Sequence, residues 1–248
     1  MNMLNFLRKI RKNNMKAKYL SYAVGEIFLV VIGILIAFQL NSWNSDRLDI
    51  IKQNKILANL HIEFLENKDQ LDAALATFSS SLETTIFINN LVGESRSEVA
   101  KHNLDSLFYL SLPAVEFYPS SQSIENVIQS GNLDLIKNQE IITLFNKWNT
   151  LLDHINDRES TSDDWINQAL IPFLVKYTSF RDMDIYGGLY WAKPSKLERD
   201  YYPLFQNGEF ESIMDNSIYL QEMNKRRMEE AKILIDRILS VTAQYIQD

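Results

Sequence analysis

Tyr19 to Phe38 reads YLSYAVGEIFLVVIGILIAF. Glu26 is its one formal charge, and from Ile27 to Phe38 only Gly33 interrupts an unbroken apolar sequence. A helix of about twenty residues rises roughly 30 Å, the thickness of a bilayer's hydrocarbon core. Tyr19 and Tyr22 stand at one end and Trp43 at the other, where interfacial aromatic anchors belong. Residues 19–43 therefore predict one transmembrane helix; the alternative is the buried helix of a soluble core.

The flanks orient it. Arg8, Lys9, Arg11, Lys12, Lys16 and Lys18 precede the span, whereas Asp46, Arg47 and Asp49 follow it. The basic side is expected in the cytoplasm and the rest of the chain on the far side. A cleaved signal peptide is the rival reading. The long basic region, the long span and the lack of a small-x-small cleavage site favour an uncleaved signal anchor. A basic tail over 1–18 is too short for a cytoplasmic kinase domain, so any signal is expected to pass through a partner in the membrane.

Two features of the span are candidates for contact. Gly25, Leu29, Gly33 and Ala37 recur every four residues, and Gly33-x-x-x-Ala37 is a small-xxx-small pair of the kind that lets two helices approach closely. Glu26 lies about 10 Å into the helix counted from Tyr19. A carboxyl there is costly, so it pairs, snorkels toward Lys16 or Lys18 of a neighbouring chain, or serves a proton pathway.

The 248 residues contain no cysteine, which excludes disulfides, thiolate metal sites and cysteine nucleophiles. Glycine and proline number only 7 and 5, which favours helices over a turn-rich sheet protein. Net charge is −7, but it is divided unevenly. Residues 1–43 hold six of the 25 basic residues and one of the 32 acids, so residues 44–248 carry a balance of −12. An acidic outer part is a poor electrostatic match for nucleic acid, and none is expected as a partner.

Beyond Asn44 nothing breaks the helical pattern before Gly93. Leu57, Leu60, Phe64, Leu71, Leu75, Phe78 and Leu82 form one apolar face. With the span, this predicts one long helix, 44–92 in its outer part, extending about 70 Å past the membrane. A shorter helix is expected over Ser97–Leu110, stopped by Leu112-Pro113, with an extended stretch to Pro119. Ser120-Ser121 offers an N-cap to a helix Gln122–Gln129. Another helix runs from about Asn138, continues or restarts near Ser162-Asp163, and reaches Tyr177 with Pro172 as a kink. Residues 180–210 read as a loop-rich aromatic insert, with a loop or short hairpin at Ile185–Trp191. A last helix is expected over about 213–247, with Glu222–Arg226, Lys225–Glu229 and Arg226–Glu230 as pairs on its wet face. The predicted fold is all-α, a transmembrane helix continuing into a long helix that packs in a helical bundle over 44–248, with the first and last helices as antiparallel partners.

The run Tyr22-Ala23-Val24-Gly25-Glu26-Ile27-Phe28-Leu29-Val30-Val31-Ile32-Gly33-Ile34-Leu35-Ile36-Ala37-Phe38-Gln39, followed by Asn41 and Trp43-Asn44, resembles the start of domain of unknown function family 6090, single-pass proteins of Bacteroidota. Ser123 to Lys137, with Ser130-Gly131-Asn132-Leu133 and Leu135-Ile136-Lys137-Asn138, is similar to that family's second shared block. The likeness is close over the anchor and loose over the outer domain. It implies a Gram-negative inner-membrane protein with a periplasmic helical domain, and it brings no activity with it.

Chemistry-bearing motifs are scarce. His61, His102 and His154 lie far apart, and none takes part in a Glu-x-x-His or H-E-x-x-H pattern. Glu63/Glu66 and Asp163/Asp164 are carboxylate pairs suited in principle to acid–base work, but in an acidic domain such pairs are expected on a solvated face. No phosphate loop and no nucleophile elbow is present. No metal, cofactor or catalytic residue is expected. Tyr186, Tyr190 and Trp191, with Tyr201, Tyr202 and Phe205 nearby, crowd the insert. They read either as a partner surface or as the glue that folds the insert onto the bundle. Three functional classes follow: a membrane-anchored interaction or scaffold module whose partners are the bilayer and a second copy or another membrane protein; a subunit in which Glu26 couples to a partner helix or to ion movement; and an enzyme with an unrecognised site.

Overall fold

The computed structural model describes residues 3–112 and 117–246, with side chains from Val24 onward. It divides into two compact units, Met1–Asn54 and Lys55–Asp248. The fold is all-helical, with no strand among the described residues. Pro113, expected to stop the helix before it, and Val115, expected to open an extended stretch, lie outside the described residues, as do the side chains of Tyr19 and Tyr22.

α1 runs Met3–Asn90. In the first unit its apolar side chains from Val24 to Leu40 face outward, with Leu29 and Phe38 each 71% exposed. No part of the stretch apolar enough to cross a membrane is buried against protein. That separates it from the core helix of a soluble domain, whose apolar face must be covered.

In the second unit the heptad-like face of α1 is buried. Leu57, Leu60, Phe64, Leu71, Phe78 and Leu82 are all inside, and Leu75 packs half-buried beside them. They meet α5 (Gln139–Trp165) and α8 (Gly208–Thr242), whose Trp148, Leu151, Met228, Ala231 and Ile235 complete one apolar cluster. The first and last helices are antiparallel. His61 contacts Thr242 at 2.8 Å, Lys68 pairs with Asp236, Lys232 reaches Asp72 at 2.6 Å, and Thr85 lies 3.4 Å from Gln221. Exposed ion pairs of this kind contribute little stability, but they mark the register.

α1 ends where Gly93, at φ +82°, enters the left-handed region open to glycine and donates its N–H to Phe205 O at 2.8 Å. The helix expected over 97–110 is two, α2 (Arg96–Val99) and α3 (Leu104–Ser111), because Asn103 caps the second by accepting Ser106 N–H at 3.1 Å. α4 spans Gln122–Gln129, but Ser121 does not cap it through its side chain. The acceptor comes from α1 instead: Glu63 Oε2 takes Ser123 N–H at 2.8 Å, and Asn67 exchanges two 2.8 Å bonds with the backbone of Ser120.

α5 does not restart at Ser162. It continues to Trp165 and widens into a π-turn, Ile166–Leu170, before α6 (Ile171–Leu174). Pro172 supplies the reason, since its ring cannot accept a normal α-helical turn beneath it and the wider turn removes the clash. After α7 (Phe180–Met183), Ile185–Trp191 forms no hairpin; a tight helical turn over Asp184–Gly187 leads into loop. α8 begins at Gly208, earlier than 213, because Asn207 Oδ1 accepts Glu209 N–H at 2.8 Å and caps it there. On its outer face Glu222 pairs with Arg226 at 3.0 Å, and Arg227 reaches Glu230 at 2.6 Å. Phe108, Phe173, Phe205 and Phe210 build a second apolar cluster around the end of α1.

Candidate functional site

Between the two apolar clusters lies a polar layer. α8 presents Ser217, Gln221 and Asn224 on the same inward face as Met214 and Met228, and α5 adds Ser162. All four are more than nine-tenths buried. Trp165 Nε1 donates to Ser217 Oγ at 3.0 Å, and Asn224 Nδ2 donates to Ser162 Oγ at 2.9 Å. Gln221 Nε2 lies 3.3 Å from Thr85 Oγ1. Asn224 Oδ1 has no hydrogen-bond partner among the described residues. Buried acceptors are normally satisfied, so this one is open to a donor.

A cavity of about 280 Å³ opens on this layer. Phe78, Ile166, Leu170, Leu220 and Met228 give it apolar walls, Trp165 and Tyr118 add aromatic surface, and Glu159 and Asp163 supply carboxylates. Among the described lining residues none is Lys, Arg or His. The site can therefore accept positive charge, and it holds no cationic side chain to pair with an anion. No family model, curated protein or solved structure matches the chain.

Of the carboxylates read from sequence, Glu63 is taken up at the entry to α4, where its Oε2 accepts Ser123 N–H at 2.8 Å. Asp163 lines the cavity, while Asp164 accepts a 3.3 Å bond from Gln168. The histidines stay apart: His61 lies against Thr242, His102 sits edge-on to Phe87 at 5.0 Å, and His154 is exposed on α5. Among the described residues no three His, Asp or Glu side chains gather in a way that could hold a metal ion.

The aromatic insert divides. Tyr201 and Phe205 are buried in the second cluster, whereas Tyr190 is 93% and Trp191 57% exposed, their rings edge-to-face at 5.0 Å. Tyr186 is exposed but anchored, its hydroxyl taking a 2.5 Å bond from Asn103 Nδ2. Gly187 sits so near the Tyr109 ring that a Cβ there would approach Cζ to 2.8 Å, and the ring would have to shift to admit one. Arg181 Nε donates to Lys193 O at 2.7 Å and Ser195 N–H to Asp182 at 2.6 Å, holding the following loop.

Beside the insert, Tyr201 Oη donates to Asp105 Oδ1 at 2.5 Å and accepts Ser179 N–H at 2.9 Å. Burial pushes the Asp105 carboxyl above its ordinary value, against the opposing effect of the Tyr201 bond. Burial, and then the bond to Asp105, push the Tyr201 hydroxyl up as well. A folded carboxyl held above its ordinary 3.8 takes the proton more readily than the unfolded chain does. Asp105 therefore lowers stability as pH rises through that window. In Asp105→Asn, which still accepts the Tyr201 hydroxyl, stability from urea unfolding is expected to rise more, or fall less, than that of the wild type as pH is raised across the acidic range. An unchanged profile would remove Asp105 as the cause.

In the span, Gly25, Glu26, Gly33 and Ala37 are all exposed along α1, and a Cβ built at Gly25 or Gly33 would meet nothing within 4 Å. Trp43 is 64% exposed at the far end. Of the cavity's polar residues, sequence reading singles out Asp163, as half of a carboxylate pair, but not Ser217, Gln221 or Asn224. The signal was present: Ser217, Gln221 and Asn224 interrupt an apolar stripe at helical spacing, with Met214 before and Met228 after.

Proposed function

We propose that the protein is a single-pass, membrane-anchored interaction module of the inner membrane, without catalytic activity of its own. Its basic tail lies in the cytoplasm, its span is an uncleaved signal anchor, and its helical domain stands in the periplasm. The resemblance of the anchor to family 6090 of Bacteroidota is consistent with that placement. The observation that carries the reading is the complete outward exposure of the apolar stretch of α1, set against the burial of the apolar face that begins at Leu57. An apolar surface of that extent needs a cover, and a bilayer supplies it.

The module works by association in the membrane, through a second copy or another membrane protein, at the face formed by Gly25, Leu29, Gly33 and Ala37. Because the chain has no cysteine, single introduced thiols report on this face without background. Gly33→Cys and Ala37→Cys are expected to cross-link into dimers in native membranes, and Ile34→Cys is not. Equal cross-linking on all faces, or none, would remove self-association and leave a different membrane protein as the partner.

The second reading places the protein in a membrane complex where Glu26 couples to a partner helix or to ion movement. It is favoured by the position of a carboxylate inside an otherwise apolar run. Glu26→Gln that assembles and functions fully would end it.

A further inference from the structure

We propose that the cavity between α5 and α8 is a binding site for a small organic ammonium ion. Its volume of about 280 Å³ corresponds to roughly nine waters at about 30 Å³ each. That is the low end for ligand pockets and suits a compact molecule. The lining selects the chemistry. Phe78, Trp165 and the 67% exposed Tyr118 line one cavity, and the half-buried Glu159 and exposed Asp163, one helical turn apart on α5, add two carboxylates. An alkylammonium ion is the class that gains from both: ring faces attract a cation whose surface is apolar, and the carboxylates supply the counter-charge. A neutral molecule of the same shape gains only the apolar contact, and a carboxylate or phosphate is repelled.

The polar layer supports a ligand over a packing role. A structural core at this level would continue the apolar stripe of α8, yet Asn224 is 7% exposed with its Oδ1 unpartnered among the described residues. A ligand hydroxyl or ammonium N–H gives such an acceptor a donor. The π-turn that follows Trp165 sets Ile166 and Leu170 on the cavity wall, and π-turns inside helices recur at functional sites. The site lies wholly within the helical domain and does not depend on how the span associates.

The test is isothermal titration of the full-length protein in maltoside micelles with choline, tetramethylammonium, and 3,3-dimethyl-1-butanol, the uncharged carbon isostere of choline. The expected result is saturable one-to-one binding of choline or tetramethylammonium, at least tenfold tighter than the isostere. Glu159→Gln combined with Asp163→Asn is expected to weaken it at least tenfold with an unchanged helical spectrum. No saturable binding of either ammonium ion, or equal affinity for the isostere, would overturn the proposal. Unchanged affinity in a folded double variant would do the same, and the isostere comparison stands even where that variant does not fold.

Discussion

Trp148→Ala is expected to lower the stability of the helical domain by about 3–5 kcal/mol. The side chain is fully buried and meets Phe64 edge-on at 4.9 Å. Its Nε1 donates to Ser121 Oγ at 3.3 Å, at the entry to α4. Truncation removes the transfer free energy of an indole and leaves a void walled by α1 and α5, which cannot close without losing their own contacts. It also leaves Ser121 without that donor. Trp148→Phe keeps most of the volume and is expected to fall between wild type and alanine. His154→Ala, at an exposed position on the same helix, is expected to stay within about 0.5 kcal/mol. Urea unfolding of the full chain followed by far-UV circular dichroism reads all three, provided the slope with urea is unchanged. A loss below about 1 kcal/mol for the alanine variant would mean that α5 is not packed on α1 as described.

The second large effect is in the span. Val31→Arg places a guanidinium near the middle of the apolar run, at a cost of about 2.5–3.5 kcal/mol on insertion. Each Leu, Ile, Phe or Val there contributes only about 0.3–0.6 kcal/mol, so one arginine offsets about four or more of them. The variant is expected to leave the membrane pellet on alkaline extraction, while Val31→Leu stays with it. Retention of the arginine variant in the pellet would show that other parts of the protein hold it to the membrane.

The parts of the fold that were legible in the sequence are those set by local periodicity. The α1 stripe from Leu57 to Phe78 repeats at helical spacing, and every member packs into the core. Gln122–Gln129 is bounded by residues that stop helices, and it folds over that range. The features that escaped depend on partners distant in sequence. Glu63 caps α4 from another helix, and no local pattern announces it. Gly208 reads as a breaker, yet Asn207 converts it into the first residue of α8. The cavity is assembled from α1, α5 and α8, so its polar residues each resemble a solvated position until the helices meet. In the same way the aromatic insert is ambiguous in sequence, because core residues such as Phe205 and exposed ones such as Tyr190 are close in composition and differ only in the direction they face.

We propose that one helix anchors the chain with its basic tail inside and its helical domain outside. A reporter enzyme that is active only outside the cytoplasm, fused after Asp248, measures this directly. The expected result is an active fusion that stays in the membrane fraction after alkaline extraction. A stable fusion of full length that is inactive, or an active one released in soluble form, would contradict it.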